Sequence, residues 1–206
     1  MRLDSRAPAQ ALGAPRAAGS GGSVRLSRVG DPRDGQEVSV RIDAGEAGAT
    51  VSTGLAVLDH LLGELARTAR LRLTLEVAPG AVESEVAAAA HALGEEIARL
   101  LGAPGAAGNG YAWFPAAEAL AGAVVEATDR PLVASNVDFS NQRVGGLRGD
   151  VVAQFLSELA DRAGLNVHIR VLEGTDPENV LRAIFKALGA AIGQACRTPE
   201  GGEIHP

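Results

Sequence analysis

Few side chains in this sequence are equipped for acid–base or metal chemistry near neutral pH. The 206 residues include 4 histidines (His60, His91, His168 and His205) and 1 cysteine, Cys196. Imidazole and carboxylate together suit a divalent transition metal, and the spacing offers one grouping of that kind. Glu83, Ala87 and His91 recur at four-residue steps, so on a helix Glu83 and His91 share a face. A metal held by Glu83, His91 and His168 is one reading of this column; a structural histidine with an ordinary hydrogen bond is the other. Glu178, Arg182 and Lys186 form a second column with acid ahead of base, the order that favours pairing along a helix. His60 follows Asp59 on the apolar side of a helical stretch. His168 alternates with Val167 and Ile169 and faces away from them on a strand. His205 lies in a terminal segment expected to fray. Cys196 has no histidine partner in the pattern and reads as a small apolar residue rather than a nucleophile. The glycine clusters at 20–22, 145–146 and 201–202 lack the strand–loop–helix setting of a phosphate loop.

The elements that must position these groups follow from periodicity. Residues 1–22 are rich in Ala, Gly, Pro and Ser without a period and read as a disordered leader. Val24–Val29 and Glu37–Ile42 alternate as half-buried strands, separated by a turn at 31–35. A strand over 49–52 follows. Leu55, Leu58, Leu61, Leu62 and Leu65 then predict a helix over 54–68. Residues 71–77 alternate as a strand, 78–84 form a turn, and 86–101 is a second helix. The second half repeats the order: strand candidates at 111–114, 121–127 (helical by its alanine content in an alternative reading) and 132–139, a helix over 151–163, a strand over 165–171 and a helix over 178–196. The parallel reaches the residues themselves. Leu62–Val77 aligned on Leu156–Val171 matches at 7 of 16 positions, including Glu64 with Glu158, and Ala92-Leu93-Gly94 matches Ala187-Leu188-Gly189 one residue later in register. Two duplicated units are expected, 23–105 and 106–197, with a tail over 198–206. Neither half is large enough to bury its own core, so the two should pack together.

Composition narrows the function. At 46% hydrophobic, 21% charged and 3% aromatic residues, the chain builds its core from Ala, Val, Leu and Ile. A net charge of -6 argues against a nucleic-acid partner, and no apolar run approaches the length of a membrane span. A single cysteine allows no disulfide within the chain, as expected in the cytoplasm.

Five segments in order, Ser52–Leu62 (STGLAVLDHLL), Gly110–Leu120 (GYAWFPAAEAL), Asp129–Pro131 (DRP), Leu165–Gly174 (LNVHIRVLEG) and Leu181–Ile192 (LRAIFKALGAAI), resemble imidazoleglycerol-phosphate dehydratase. The resemblance runs from about Ser23 to about Gly202. It implies an α+β fold of two pseudo-duplicated halves, each a sheet with two helices, of the ribosomal S5 domain 2-like type. It also implies a hydro-lyase of histidine biosynthesis, cytoplasmic, assembled from trimers into a homo-oligomer (trimer or larger) with metal sites shared between subunits. The family removes water from a small phosphorylated imidazole using two manganese ions, held in part by a His-His-x-x-Glu motif opening the second helix of each half. Here those motif positions read Glu83, Ser84 and Ala87 in the first half, and Glu178, Asn179 and Arg182 in the second. Both histidine pairs and both helix glutamates are gone. His60 and His168 stand at family ligand positions, Glu118 at the place of a catalytic carboxylate (with Ala117 where an aspartate precedes it), and Arg130 and Arg143 as candidates for the substrate phosphate. The carboxy-terminal Ser-Thr-Lys-Gly segment is replaced by residues 198–203 (TPEGGE), and the amino-terminal Thr-x-Glu-Thr segment is not recognisable in residues 28–37. The ligand arithmetic points to a degenerate member whose di-manganese site is lost, non-catalytic or repurposed; the alternative is an active dehydratase with an atypical metal site. Arg182 can be a fixed cation in place of the metal, bridging nearby carboxylates, or part of a solvated ion-pair face.

Overall fold

The computed structural model describes residues 27–29, 37–44, 47–138 and 142–197. The expected leader, the turn at 31–35, the carboxy-terminal tail and His205 lie outside them. The first half contains β1 (Ser27–Val29), β2 (Val38–Ala44), β3 (Gly48–Ser52), α1 (Ala56–Ala69), β4 (Leu71–Val77) and α2 (Val82–Leu101). The second half contains β5 (Asn109–Ala116), β6 (Ala119–Ala127), β7 (Leu132–Ser135), a small hairpin β8 (Arg143–Val144) and β9 (Leu147–Arg148), α3 (Gly149–Ala163), β10 (Leu165–Glu173) and α4 (Pro177–Ala195). The sheets run β1-β2-β4-β3 and β5-β6-β10-β7. In each sheet the third strand in sequence returns to lie parallel to the fourth, and the other pairs are antiparallel. Identical strand order and sense in both sheets makes the duplication architectural.

The alternating strands dictate the layers. On β4, Leu71, Leu73, Leu75 and Val77 are buried while the residues between them are exposed, so each sheet has one wet face and one face that helices must cover. Helices α1 and α2 cover the first sheet and α3 and α4 the second, and the halves join helix on helix, α1 on α4 and α2 on α3. The result is four layers, sheet–helices–helices–sheet, with Phe155 and Phe185 stacked at 5.9 Å between ring centres in the middle.

Two glycines show why the sequence repeat exists. A Cβ on Gly189 would sit 2.2 Å from the Leu65 carbonyl oxygen, and one on Gly94 would sit 3.0 Å from the Leu159 carbonyl oxygen and 2.6 Å from the Arg162 Cβ. Leu65 and Leu159 are repeat partners, as are Gly94 and Gly189. Each half therefore presents the same glycine to the same backbone carbonyl of the other half, and helix contact this close admits no side chain.

Three differences from the sequence expectations bear on the site. Helix α2 starts at Val82 rather than 86, so residues 82–84 are its first turn and not part of a preceding loop. Residues 119–127 are strand, because their inward alanines fit beneath α4. Strand β7 stops at Ser135 instead of 139, and the β8–β9 hairpin follows with Gly145 and Gly146 at positive φ in its turn.

Candidate functional site

The amino termini of α1 and α4 converge beside the β8 hairpin. Between them lies a groove of about 230 Å³ lined by Ala56, Val57, His60, Leu61, Val144, Glu178, Leu181 and Arg182. Local chemistry holds each wall. Asp59 turns back to accept both the amide and the hydroxyl of the fully buried Thr53, at 2.8 and 2.7 Å, which ties the entry segment of α1 to its first turn. Asp176 caps α4 by accepting the Glu178 amide at 2.9 Å, with Pro177 opening the helix. Glu118, in the two-residue turn between β5 and β6, accepts the Asp176 amide at 3.0 Å and the Asn179 side-chain amide at 2.8 Å. Those bonds, the Asp176 amide foremost, hold the Glu118 carboxyl below the usual carboxylate range. Glu118 is thus an ionised clamp on the α4 terminus and not a group poised near neutral pH.

Beneath the groove lies Glu64, a buried carboxylate on α1. Arg67 reaches it at 2.5 Å, and the His60 Nε2 and the Arg182 guanidinium each stand 3.8 Å away. Burial by itself would raise this carboxyl; the Arg67 hydrogen bond and charge, with the charges of Lys186 and His60, outweigh it and leave it below the ordinary range. The Arg182 Nε is buried with no hydrogen-bond partner among the described residues. Arg182 is therefore half-buried and not confined to its own helix face: it crosses from α4 to the buried acid of the other half. His60 is exposed, contrary to its expected place on the apolar side of α1, because the apolar stripe formed by Leu58, Leu61, Leu62 and Leu65 passes beside it.

The same arrangement recurs, weaker, in the other half. Glu158, the repeat partner of Glu64, bonds to His91 on α2, which occupies the repeat position of Lys186. That contact engages the His91 Nε2. Glu83 stands in the first turn of α2 with Arg148 at 3.5 Å. His168 points outward from β10, opposite Val124 on β6 and Ala134 on β7. The set Glu83, His91 and His168 is not brought together, and among the described residues no cluster of three or more His, Cys, Asp or Glu side chains could hold a metal ion. Arg143 adjoins the groove through Val144, whereas Arg130 follows β6 at the end of the second sheet where β10 begins, away from the α4 terminus. Burial pushes the Cys196 thiol up to about 11, as expected of an inert side chain.

Glu64 was not singled out from sequence, although a signal for it existed. It is one of two acids preserved between the repeats on an otherwise apolar helix face, and a buried charge must have partners.

The sequence pattern of the family described as imidazoleglycerol-phosphate dehydratase matches residues 53–192. The chain belongs to that family. Named relatives include the imidazoleglycerol-phosphate dehydratase of Heliobacterium modesticaldum, 36% identical over 149 residues covering 70% of this chain and 76% of the relative. That of Cutibacterium acnes is 37% identical over 168 residues, covering 75% and 81%. Among solved structures, the Staphylococcus aureus dehydratase superposes with a TM-score of 0.71 at 25% identity, covering 77% of this chain and 93% of that one. The Pyrococcus furiosus structure, solved in complex with (S)-C348, gives a TM-score of 0.71 at 22% identity and so supports the fold alone. The family's α+β architecture of two duplicated halves is the one described above. No helix among the described residues is long and apolar enough to cross a membrane.

The dehydratase motif positions can be tested against a dication on this geometry. Glu83 and Glu178 offer single carboxylates, Ser84, Asn179 and Ala87 offer weak donors or none, and Arg182 brings a permanent positive charge to the groove that His60 lines. A guanidinium is not deprotonated in proteins and repels a divalent cation. The donor set within one chain does not fit the metal.

Proposed function

We propose that this chain is a non-catalytic member of the dehydratase family, in which a protein cation has taken the place of the metal. The observation that carries the reading is the Arg182–Glu64 ion pair: the residue standing where the second motif has its glutamate supplies positive charge to the groove instead of recruiting it. On this reading the groove beside Arg143, His60 and Arg182 binds a small phosphorylated imidazole without dehydrating it, and the protein serves a cytoplasmic regulatory or structural role as a homo-oligomer, a trimer or larger. The apolar groove wall of Ala56, Val57, Leu61 and Leu181, lined also by His60 and Arg182 with one acid, Glu178, suits an aromatic ring carrying an anionic group that the Arg182 guanidinium receives.

The test is direct. Purified protein supplied with manganese and imidazoleglycerol phosphate should give no dehydrated product, manganese titration by calorimetry should release no heat, and the gene should not restore growth to a histidine auxotroph lacking its dehydratase. Growth at a normal rate, or turnover dependent on manganese, establishes the alternative of an active enzyme with an atypical metal site.

A further inference from the structure

Arg182 is held loosely for a cation set against a buried acid. Its Nη2 stands 3.8 Å from the Glu64 Oε1, beyond the roughly 2.7–3.2 Å of an N–H···O hydrogen bond. Its Nε is buried with no hydrogen-bond partner among the described residues, and a buried donor left unmade is costly. Nε and Nη2 form one edge of the guanidinium, an edge that takes a carboxylate or phosphate through two parallel bonds. Glu64 stands off one corner of that edge and satisfies neither donor fully. The same side chain is 31% exposed and lines the groove with His60, Leu61 and Glu178.

Glu64 can release Arg182 without being left bare. Arg67 approaches its Oε2 at 2.5 Å, and the His60 Nε2 stands 3.8 Å from its Oε1. Lys186 adds a further positive charge while its ammonium donates to the Pro115 carbonyl at 3.3 Å. One buried carboxylate is thus shared among the fixed charges of Arg67, Arg182 and Lys186, and only Arg182 of these three lines the groove. In the other half, Ala87 stands at the repeat position of Arg182 and Glu158 bonds directly to His91. There the cation able to change partners is replaced by a methyl group.

We infer that Arg182 has two positions, one on Glu64 and one on an anionic ligand in the groove, and that Glu64 sets the ligand's affinity by competing for it. This rests on the proposed reading of the groove as a site for an aromatic ring carrying an anion. When a phosphate takes the Nε–Nη2 edge, the guanidinium turns from Glu64 toward the groove. The Nε then gains the acceptor it lacks, and Glu64 keeps Arg67. Ligand binding and the ion pair between α1 and α4 are thereby coupled, and the coupling is reciprocal: whatever loosens the hold of Glu64 on Arg182 tightens the ligand. Deleting the carboxylate therefore strengthens binding, the reverse of what the loss of a ligand-holding residue does.

Phenyl phosphate, an aromatic ring carrying a phosphate, is the probe, titrated calorimetrically into the full-length protein at fixed ionic strength. Glu64→Gln should bind it about tenfold more tightly than wild type, and Arg182→Gln about tenfold more weakly or worse. In the Arg182→Gln background, Glu64→Gln should give no gain; this arm separates competition for Arg182 from the general loss of a negative charge beside the groove. Circular dichroism checks that each variant is folded. Should Glu64→Gln unfold, Arg67→Gln at a side chain 61% exposed gives the converse test: Glu64 then holds Arg182 more firmly, and affinity should fall only where Arg182 is present. An affinity unchanged or lowered by Glu64→Gln, unchanged by Arg67→Gln, or raised by Glu64→Gln even without Arg182 overturns the inference and leaves the groove as a binding site. Failure of both wild type and Glu64→Gln to bind the probe overturns the inference and the groove's proposed role together.

Discussion

Glu64→Gln and Glu158→Gln place one substitution at the two copies of a single repeat position, and the structure separates their effects. Glu64 is 4% exposed and serves Arg67 and Arg182, with His60 nearby; Glu158 is 33% exposed and serves His91. Removing one partner of a fully buried ion pair costs about 3–5 kcal/mol. Here the basic partners all reach water and recover part of their hydration, so about 2 kcal/mol is expected for Glu64→Gln. At the more open Glu158 the expected loss is below about 1 kcal/mol. For a chain of this size the first corresponds to a fall in melting temperature of roughly 4–8 °C. Urea unfolding followed by far-ultraviolet circular dichroism at pH 7 measures both. The pH dependence gives a second readout. Because the folded Glu64 carboxyl titrates below its ordinary value, the unfolded chain binds more protons in that window and stability rises with pH there. The contribution is complete above the ordinary carboxylate pKa of about 4.3 and is lost as the pH falls through the folded value. The gap between wild type and Glu64→Gln should therefore narrow in acid. Equal losses at the two sites, or a gap that persists well below the carboxylate range, would refute the claim that a buried ion cluster ties α1 to α4.

Three further outcomes follow from local geometry. Gly189→Ala should destabilise by about 3 kcal/mol and Gly94→Ala by less, because the added methyl meets the Leu65 carbonyl at 2.2 Å in the first case and the Leu159 carbonyl at 3.0 Å, beside a movable Arg162 side chain, in the second; denaturation midpoints rank them. Arg70→Gly should stabilise by about 1 kcal/mol, since Arg70 ends α1 at φ +56 where its repeat partner Gly164 ends α3 at φ +65. Cys196, with its thiol at about 11, should react with iodoacetamide at neutral pH roughly a hundredfold more slowly than an unperturbed cysteine; labelling followed by mass spectrometry measures the rate.

Much of this molecule was legible before any coordinates. Period-two alternation at 71–77 and leucine spacing at 55–65 specify which face is buried, because burial acts on each residue where it stands. The 62–77/156–171 alignment likewise announces two copies of one unit, and two of its identities now have reasons: Leu65 and Leu159 each offer a carbonyl to a glycine of the opposite half, and Glu64 and Glu158 each receive a side chain from it, Arg182 and His91. The element starts were less legible. Val82 begins a helix in a stretch that reads as a turn, because the α2 terminus is held by Glu85 accepting the Gly80 amide at 2.7 Å, a contact that local propensity does not weigh.

The sequence by itself determined the fold, the duplication, the family and the loss of both histidine pairs, since these are matters of residue identity and period. The tertiary structure decided what the remaining chemical groups do. His91 and His168, separable only by guesswork along the chain, diverge to a helix–helix contact and an outer sheet face. Arg182 reaches Glu64 across the junction of the two halves, and Trp113 lies flat over Gly122. Each of these depends on which elements pack together and at what distance, and electrostatic energies change with burial and separation far more than with position in the sequence.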